Sequence, residues 1–116
     1  MVIVRNFQSR QVLYNVGNGE IRNFYGQLQA RYDSQYLRDV PGLIQFKLTG
    51  NEIRDYAGLL VWKKDGKCMR RVNGMCEYIF DDQGIAAFSG YRLYIIEGNP
   101  SELDKLAIFA YMLGRS

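Results

Sequence analysis

Glu20–Tyr36 reads "EIRNFYGQLQARYDSQY", and the fold turns on whether this stretch coils or extends. Ile21, Phe24, Tyr25, Leu28, Tyr32 and Tyr36 recur at spacings of three and four. That spacing lines side chains along one face of an α-helix. Arg22, Asn23, Gln27, Gln29 and Asp33 fall off the stripe and are free to face water. A Gly-rich turn, Gly17–Gly19, precedes the stretch, and Pro41 disfavours helix at Val40. The spacing therefore predicts a helix over Glu20–Tyr36.

Outward from this helix the pattern changes to strands. Val2–Arg5 and Val12–Val16 are rich in β-branched residues, with Asn6–Gln11 as the loop between them. Leu43–Thr49 alternates, and Ile53–Ala57 fits either a short helix or an extended segment. Gly58–Lys64, Lys67–Val72, Met75–Phe80, Ile85–Ser89 and Tyr91–Glu97 read as further strands. Asp65-Gly66, Asn73-Gly74 and "DDQG" are the turn signals between them. The chain closes on "NPSELDKLAIFAYMLGRS", a second helix with Asn99 as its cap and Pro100 at the first helical position. The order predicts an α+β fold. An antiparallel β-meander sheet carries one helix after the first two strands and one C-terminal helix packed on it.

Composition bounds the rest. The chain has 116 residues, 47% hydrophobic and 23% charged, with a net charge of +3 and a pI near 8.9. One domain over 1–116, with a core that needs neither disulfide nor metal, is expected. No linker, low-complexity tract or internal repeat is expected. No apolar run reaches transmembrane length, and a cytoplasmic location is expected. The chain has no histidine, which removes Ser-His-Asp and Cys-His catalysis and histidine metal sites. Asp81-Asp82 supplies too few oxygens for a cation cage. Gly17–Gly19 lacks a phosphate-binding pattern, and nothing in the spacing of Glu52 and Ile53–Tyr56 demands acid–base chemistry. A non-enzymatic protein without metal or cofactor is expected.

Two stretches suggest binding. In "LAIFAYML", Leu106–Leu113, every residue is apolar. A helix resting on one sheet needs only a stripe, so Ile108, Phe109, Tyr111 and Met112 are expected at an interface with a protein partner or a second copy. A homodimer, an adaptor, an inhibitor or an assembly subunit all fit. The alternative is nucleic-acid binding by the basic stretch "VWKKDGKCMRRV", Val61–Val72, through Trp62, Lys63, Lys64, Lys67, Arg70 and Arg71. Small basic proteins of this kind occur in viruses and mobile elements. A tight Asn73-Gly74 turn would set Arg70 opposite Glu77. It would also put Cys68 and Cys76 on opposite sheet faces, so no disulfide between them is expected.

Overall fold

A computed structural model describes all 116 residues, Met1–Ser116. Twelve strands precede one helix: β1 Val2–Asn6, β2 Val12–Gly17, β3 Glu20–Asn23, β4 Leu28–Tyr32, β5 Tyr36–Asp39, β6 Ile44–Thr49, β7 Glu52–Asp55, β8 Leu60–Asp65, β9 Cys68–Arg70, β10 Cys76–Asp81, β11 Gly84–Ala87, β12 Arg92–Glu97 and α1 Glu102–Leu113. Each strand pairs antiparallel with its neighbours in sequence, and β1 pairs with β12, so the sheet closes into a barrel without edges. This overturns the α+β meander with two helices.

Glu20–Tyr36, expected as a helix, forms β3, β4 and the start of β5. The break is Gly26, at φ +82, within a hairpin tip. The Asn23 side-chain oxygen accepts from the Tyr25 and Gln27 N–H groups and holds that tip. Ile21, Ala30 and Tyr32 point into the barrel, whereas Phe24 and Tyr25 stand exposed at the tip. A bulge between Ile21 and Arg22 shifts the register of β3 against β4. Inward residue, tip and bulged return strand together mimic a helical spacing.

The barrel is also a repeat, contrary to expectation. One backbone hydrogen bond closes each of six hairpin tips: Asn6 to Gln11, Asn23 to Gln27, Asp39 to Leu43, Asp55 to Leu59, Arg71 to Met75 and Ala87 to Tyr91. From the second hairpin onward the donors fall 16 residues apart. Each of the six hairpins also carries a register shift on its way to the tip. An inward apolar residue begins every unit: Val4, Ile21, Leu37, Ile53, Met69 and Ile85, all nearly inaccessible.

The helix lies inside this barrel and not on a sheet. Five consecutive residues, Leu106–Ala110, are buried, which needs cover on every side. Ile108 sits among Val4, Tyr14, Val16 and Ile21. Phe109 packs edge-on against Trp62 and Tyr78 across the lumen. No charged or polar residue is buried. Ser101, not Asn99, caps the helix, in a reciprocal box with Asp104, and Pro100 precedes the cap. The Tyr32 hydroxyl donates to Asp104 at 2.6 Å where the helix enters, and Trp62 Nε1 donates to the Gly114 carbonyl at 3.2 Å where it leaves. Gly114 must lack a side chain, because a Cβ there would meet the Phe46 ring at 2.6 Å.

The registers of β8, β9 and β10 also differ from expectation. Asp65 pairs with Cys68, so Gly66-Lys67 forms the turn between β8 and β9. A bulge on β10 sets Cys76, not Glu77, opposite Arg70. It brings Cys76 onto the face of Cys68, and the two cysteines are disulfide-bonded with Cα atoms 5.6 Å apart. Glu77 bonds Arg71 instead, and Arg70 bonds Asp65 at 3.1 Å.

Candidate functional site

Ile108 and Phe109 are in the core, so they form no interface while the barrel is closed. Tyr111 and Met112 are half-buried against the same core, with Tyr111 edge-on to Tyr14. The apolarity of the helix is explained by the wall around it.

The structure disperses the basic stretch. Trp62 is fully buried and offers no ring for stacking on a base. Lys64 turns inward, donating to the Gly66 carbonyl and facing Glu102 at 3.4 Å. Arg70 is tied to Asp65 and to the Gly74 carbonyl. Arg71 lies over the Trp62 ring and bonds Glu77 and the Ser116 carbonyl. Lys63 is exposed on the outer face of β8, and Lys67 is exposed in the turn that follows it.

What the structure does bring together lies at the six hairpin tips, which form one rim of the barrel. The first tip residue after the bracketing donor is Phe7, Phe24, Val40, Tyr56, Val72 or Phe88, apolar in every unit. Leu43, Leu59, Met75 and Tyr91 close the later tips. Apart from Met1, every exposed large hydrophobic residue of the chain stands on this rim, from Val40 at 52% to Tyr25 at 83% accessibility. Neighbouring tips touch where β1 meets β12, as Gln8 donates to the Tyr91 hydroxyl at 2.6 Å.

The rim is also poor in free charge. No lysine and no glutamate occurs in the six tips. Asp39 and Asp55 turn their carboxylates onto tip N–H groups, and the guanidinium of Arg10 lies over the Phe7 ring. The opposite rim is charged: Glu20, Asp33, Glu52, Asp65, Asp81 and Asp82, with Lys64 and Lys67, fall in or beside the turns that join the hairpins, and four of these acids pair with arginines. The two ends of the barrel thus differ in kind. This rim escaped sequence reasoning because its residues are 16 apart and belong to separate tips. The repeated Arg-x-x-x-Gly of the middle units was the signal that could have found it.

The fold and its rim define the class: a closed up-and-down β-barrel that uses its own C-terminal helix as core and presents an apolar crown at one end. No family model matches this chain, no curated protein matches it, and no solved structure matches it. No helix is long and apolar enough to cross a membrane.

Proposed function

We propose that this chain is a binding protein that acts through protein–protein contacts, made by the crown of hairpin tips. The observation that carries the reading is the confinement of exposed large apolar residues to that rim, Met1 aside. Exposed apolar patches of this extent mark interaction surfaces. The tip composition, rich in aromatics with Met and Arg and without Lys or Glu, is that of an interface centre. A second copy of the chain is one candidate partner, and an adaptor, inhibitor or assembly role fits equally. The Cys68–Cys76 bond favours an oxidising compartment over the expected cytoplasmic location.

The test compares the wild-type chain with the triple variant Phe24→Ser, Tyr56→Ser, Phe88→Ser. All three positions are exposed, so circular dichroism should show the variant folded like the wild type. Sedimentation reads self-association, and nuclease-treated affinity capture reads other partners. Loss of association in the triple variant supports the crown. Association that depends on nucleic acid and on Lys63 and Lys67, or binding to lipid vesicles alone, overturns the reading.

A further inference from the structure

In the return strand of each hairpin one residue faces the helix at the same register: Tyr14, Ala30, Phe46, Trp62, Tyr78 and Tyr94. Five of the six are aromatic. Their rings fill the space between wall and helix: Tyr14 against Tyr111 at 5.1 Å, and Trp62 and Tyr78 against Phe109 at 4.9 and 5.6 Å. Ala30 is the exception, and the helix residue lining the same space is the small Ala110. Both are buried, at 2% accessibility each. A cleft of about 280 Å³ opens outward from this floor to the tip rim.

Leu37 and Phe46 wall this cleft, and Asp39, Gln45 and Arg115 stand at its mouth. Asp39 accepts from Gln45 through Oδ2 at 3.1 Å, and Gln45 accepts from Arg115. Asp39 Oδ1 is taken by the Gly42 and Leu43 N–H groups, so the carboxylate keeps one lone pair, on Oδ2, for a further donor, and the guanidinium keeps donors for an oxygen. An apolar cavity of about 150 Å³ already accepts benzene. We propose that the cleft is a binding site for one aromatic ring carrying a single hydrogen-bonding polar group, a phenol or an indole. The ring lies over the floor that Ala30 and Ala110 form, between Phe46 and Tyr111. Its hydroxyl or N–H donates to Asp39, and Arg115 donates to a phenol oxygen. The ring comes either from a free small molecule or from a Tyr or Trp side chain. This inference stands apart from the crown reading, since a soluble probe needs no contact with the tips.

The experiment titrates the isotope-labelled chain with p-cresol and, separately, with N-acetyl-tyrosinamide, following the methyl resonances of Ala30, Leu37 and Ala110. Saturable shifts with p-cresol, at a Kd on the order of 1 mM, are expected for so small a ligand. Ala30→Phe rebuilds the absent ring and should weaken binding at least about tenfold by occupying the same volume. Ala110→Leu fills the cleft from the helix side and serves if Ala30→Phe does not fold. Saturation by both probes supports a site open to a partner's side chain, and saturation by p-cresol alone supports a small-molecule site. Linear, unsaturated shifts, or equal affinity in the filled variants, overturn the proposal. The triple tip variant should bind p-cresol unchanged, so failure here and failure of the crown are read separately.

Discussion

Arg54 donates from Nη1 to the carbonyl of Gly58, 3.0 Å away, and so ties the outer wall to the tip between β7 and β8. The same bond recurs from Arg5 to Arg10, Arg22 to Gly26, Arg38 to Gly42 and Arg70 to Gly74, at 2.8–3.1 Å. The acceptor in each case is the tip residue at positive φ. Arg54 also pairs with Glu52 at 2.8 Å. Both bonds are partly exposed, so Arg54→Met is expected to cost about 1 kcal/mol and to lower Tm by about 4 °C. Adding Arg22→Met on β3, four strands away, should roughly double the loss. Calorimetry checks both, and an unchanged Tm would deny the arginines any role in holding the tips.

Glycines at positive φ are not equivalent in this barrel. A Cβ on Gly84, at φ +142, would overlap the Tyr94 carbonyl oxygen across the β11–β12 pair. A Cβ on Gly74, at φ +88, meets nothing within 4 Å. Gly84→Ala is therefore expected to cost about 3 kcal/mol or more, while Gly74→Ala bears only the left-handed backbone penalty of about 1 kcal/mol. Urea denaturation of the two variants measures the gap. Equal midpoints would mean that β11 and β12 do not approach as closely as described.

Much of the wall was legible before the fold was known. Every strand from β6 onward except β7 overlaps a stretch read as extended, because β-branched residues and the Asn73-Gly74 turn signal act locally, whereas Ile53–Ala57 fits either a short helix or an extended segment. The barrel itself was not legible. Closure depends on β1 meeting β12, 92 residues apart at Val4 and Ile96, and no local signal carries that pairing. Leu106–Ala110 showed an all-round apolar helix, but a surrounding wall and a partner protein leave the same mark on the sequence. The period of 16 was present, yet it repeats residue classes more than identities, as in the first tip residue, Phe24, Val40, Tyr56, Val72 or Phe88, and the return strands vary from Ala30 to Trp62 at one position. Tip residues such as Phe24 and Tyr56 look like core residues until Asn23 and Asp55 are seen to turn the chain beside them.

Two kinds of group give stability a dependence on pH. The Arg92 guanidinium, bonded to both oxygens of Asp81, holds that carboxyl below the usual carboxylate range, against an opposing effect of burial. A depressed folded pKa contributes stability that is present above the unfolded value and lost as pH falls through the folded one. Burial pushes the Tyr32 phenol well above its ordinary value of 10, helped by its bond to Asp104, and burial does the same for Tyr111 beside Tyr14. A raised folded pKa contributes stability that is complete below pH 10 and lost as pH rises beyond it. Stability should thus fall below about pH 4 and above about pH 10. Arg92→Met should flatten the acid limb, and Tyr32→Phe the alkaline limb, in denaturation midpoints measured across pH.

The bond between Cys68 and Cys76 staples β9 to β10 beside the bulge that brings them together. The closed loop is short, with a sequence separation of 8, so the stabilisation expected from loop closure is at the low end, about 2 kcal/mol. Without reductant the intact mass should be two hydrogens lighter than the sequence mass. Cys68→Ser with Cys76→Ser should lower the urea midpoint to that of the reduced chain. A mass that corresponds to two free thiols after air oxidation would show that Cys76 does not share the face of Cys68.

Phe109 tests whether the helix fills the lumen. Its ring lies 4.9 Å from Trp62 and 5.6 Å from Tyr78, and none of its surface reaches solvent. Phe109→Ala removes the contact that joins the helix to β8 and β10, and leaves a void that a closed barrel cannot collapse to fill. The expected cost is about 3–5 kcal/mol, a large part of the total stability of a domain this size. Trp62 is the chain's single tryptophan, so its fluorescence reports the same event. Its emission should shift to the red as water reaches the lumen, while Tyr56→Ser on the exposed rim leaves both midpoint and emission unchanged. A loss under about 1 kcal/mol with unshifted emission would place the helix outside the barrel, and would return its apolar face to the surface as a candidate interface.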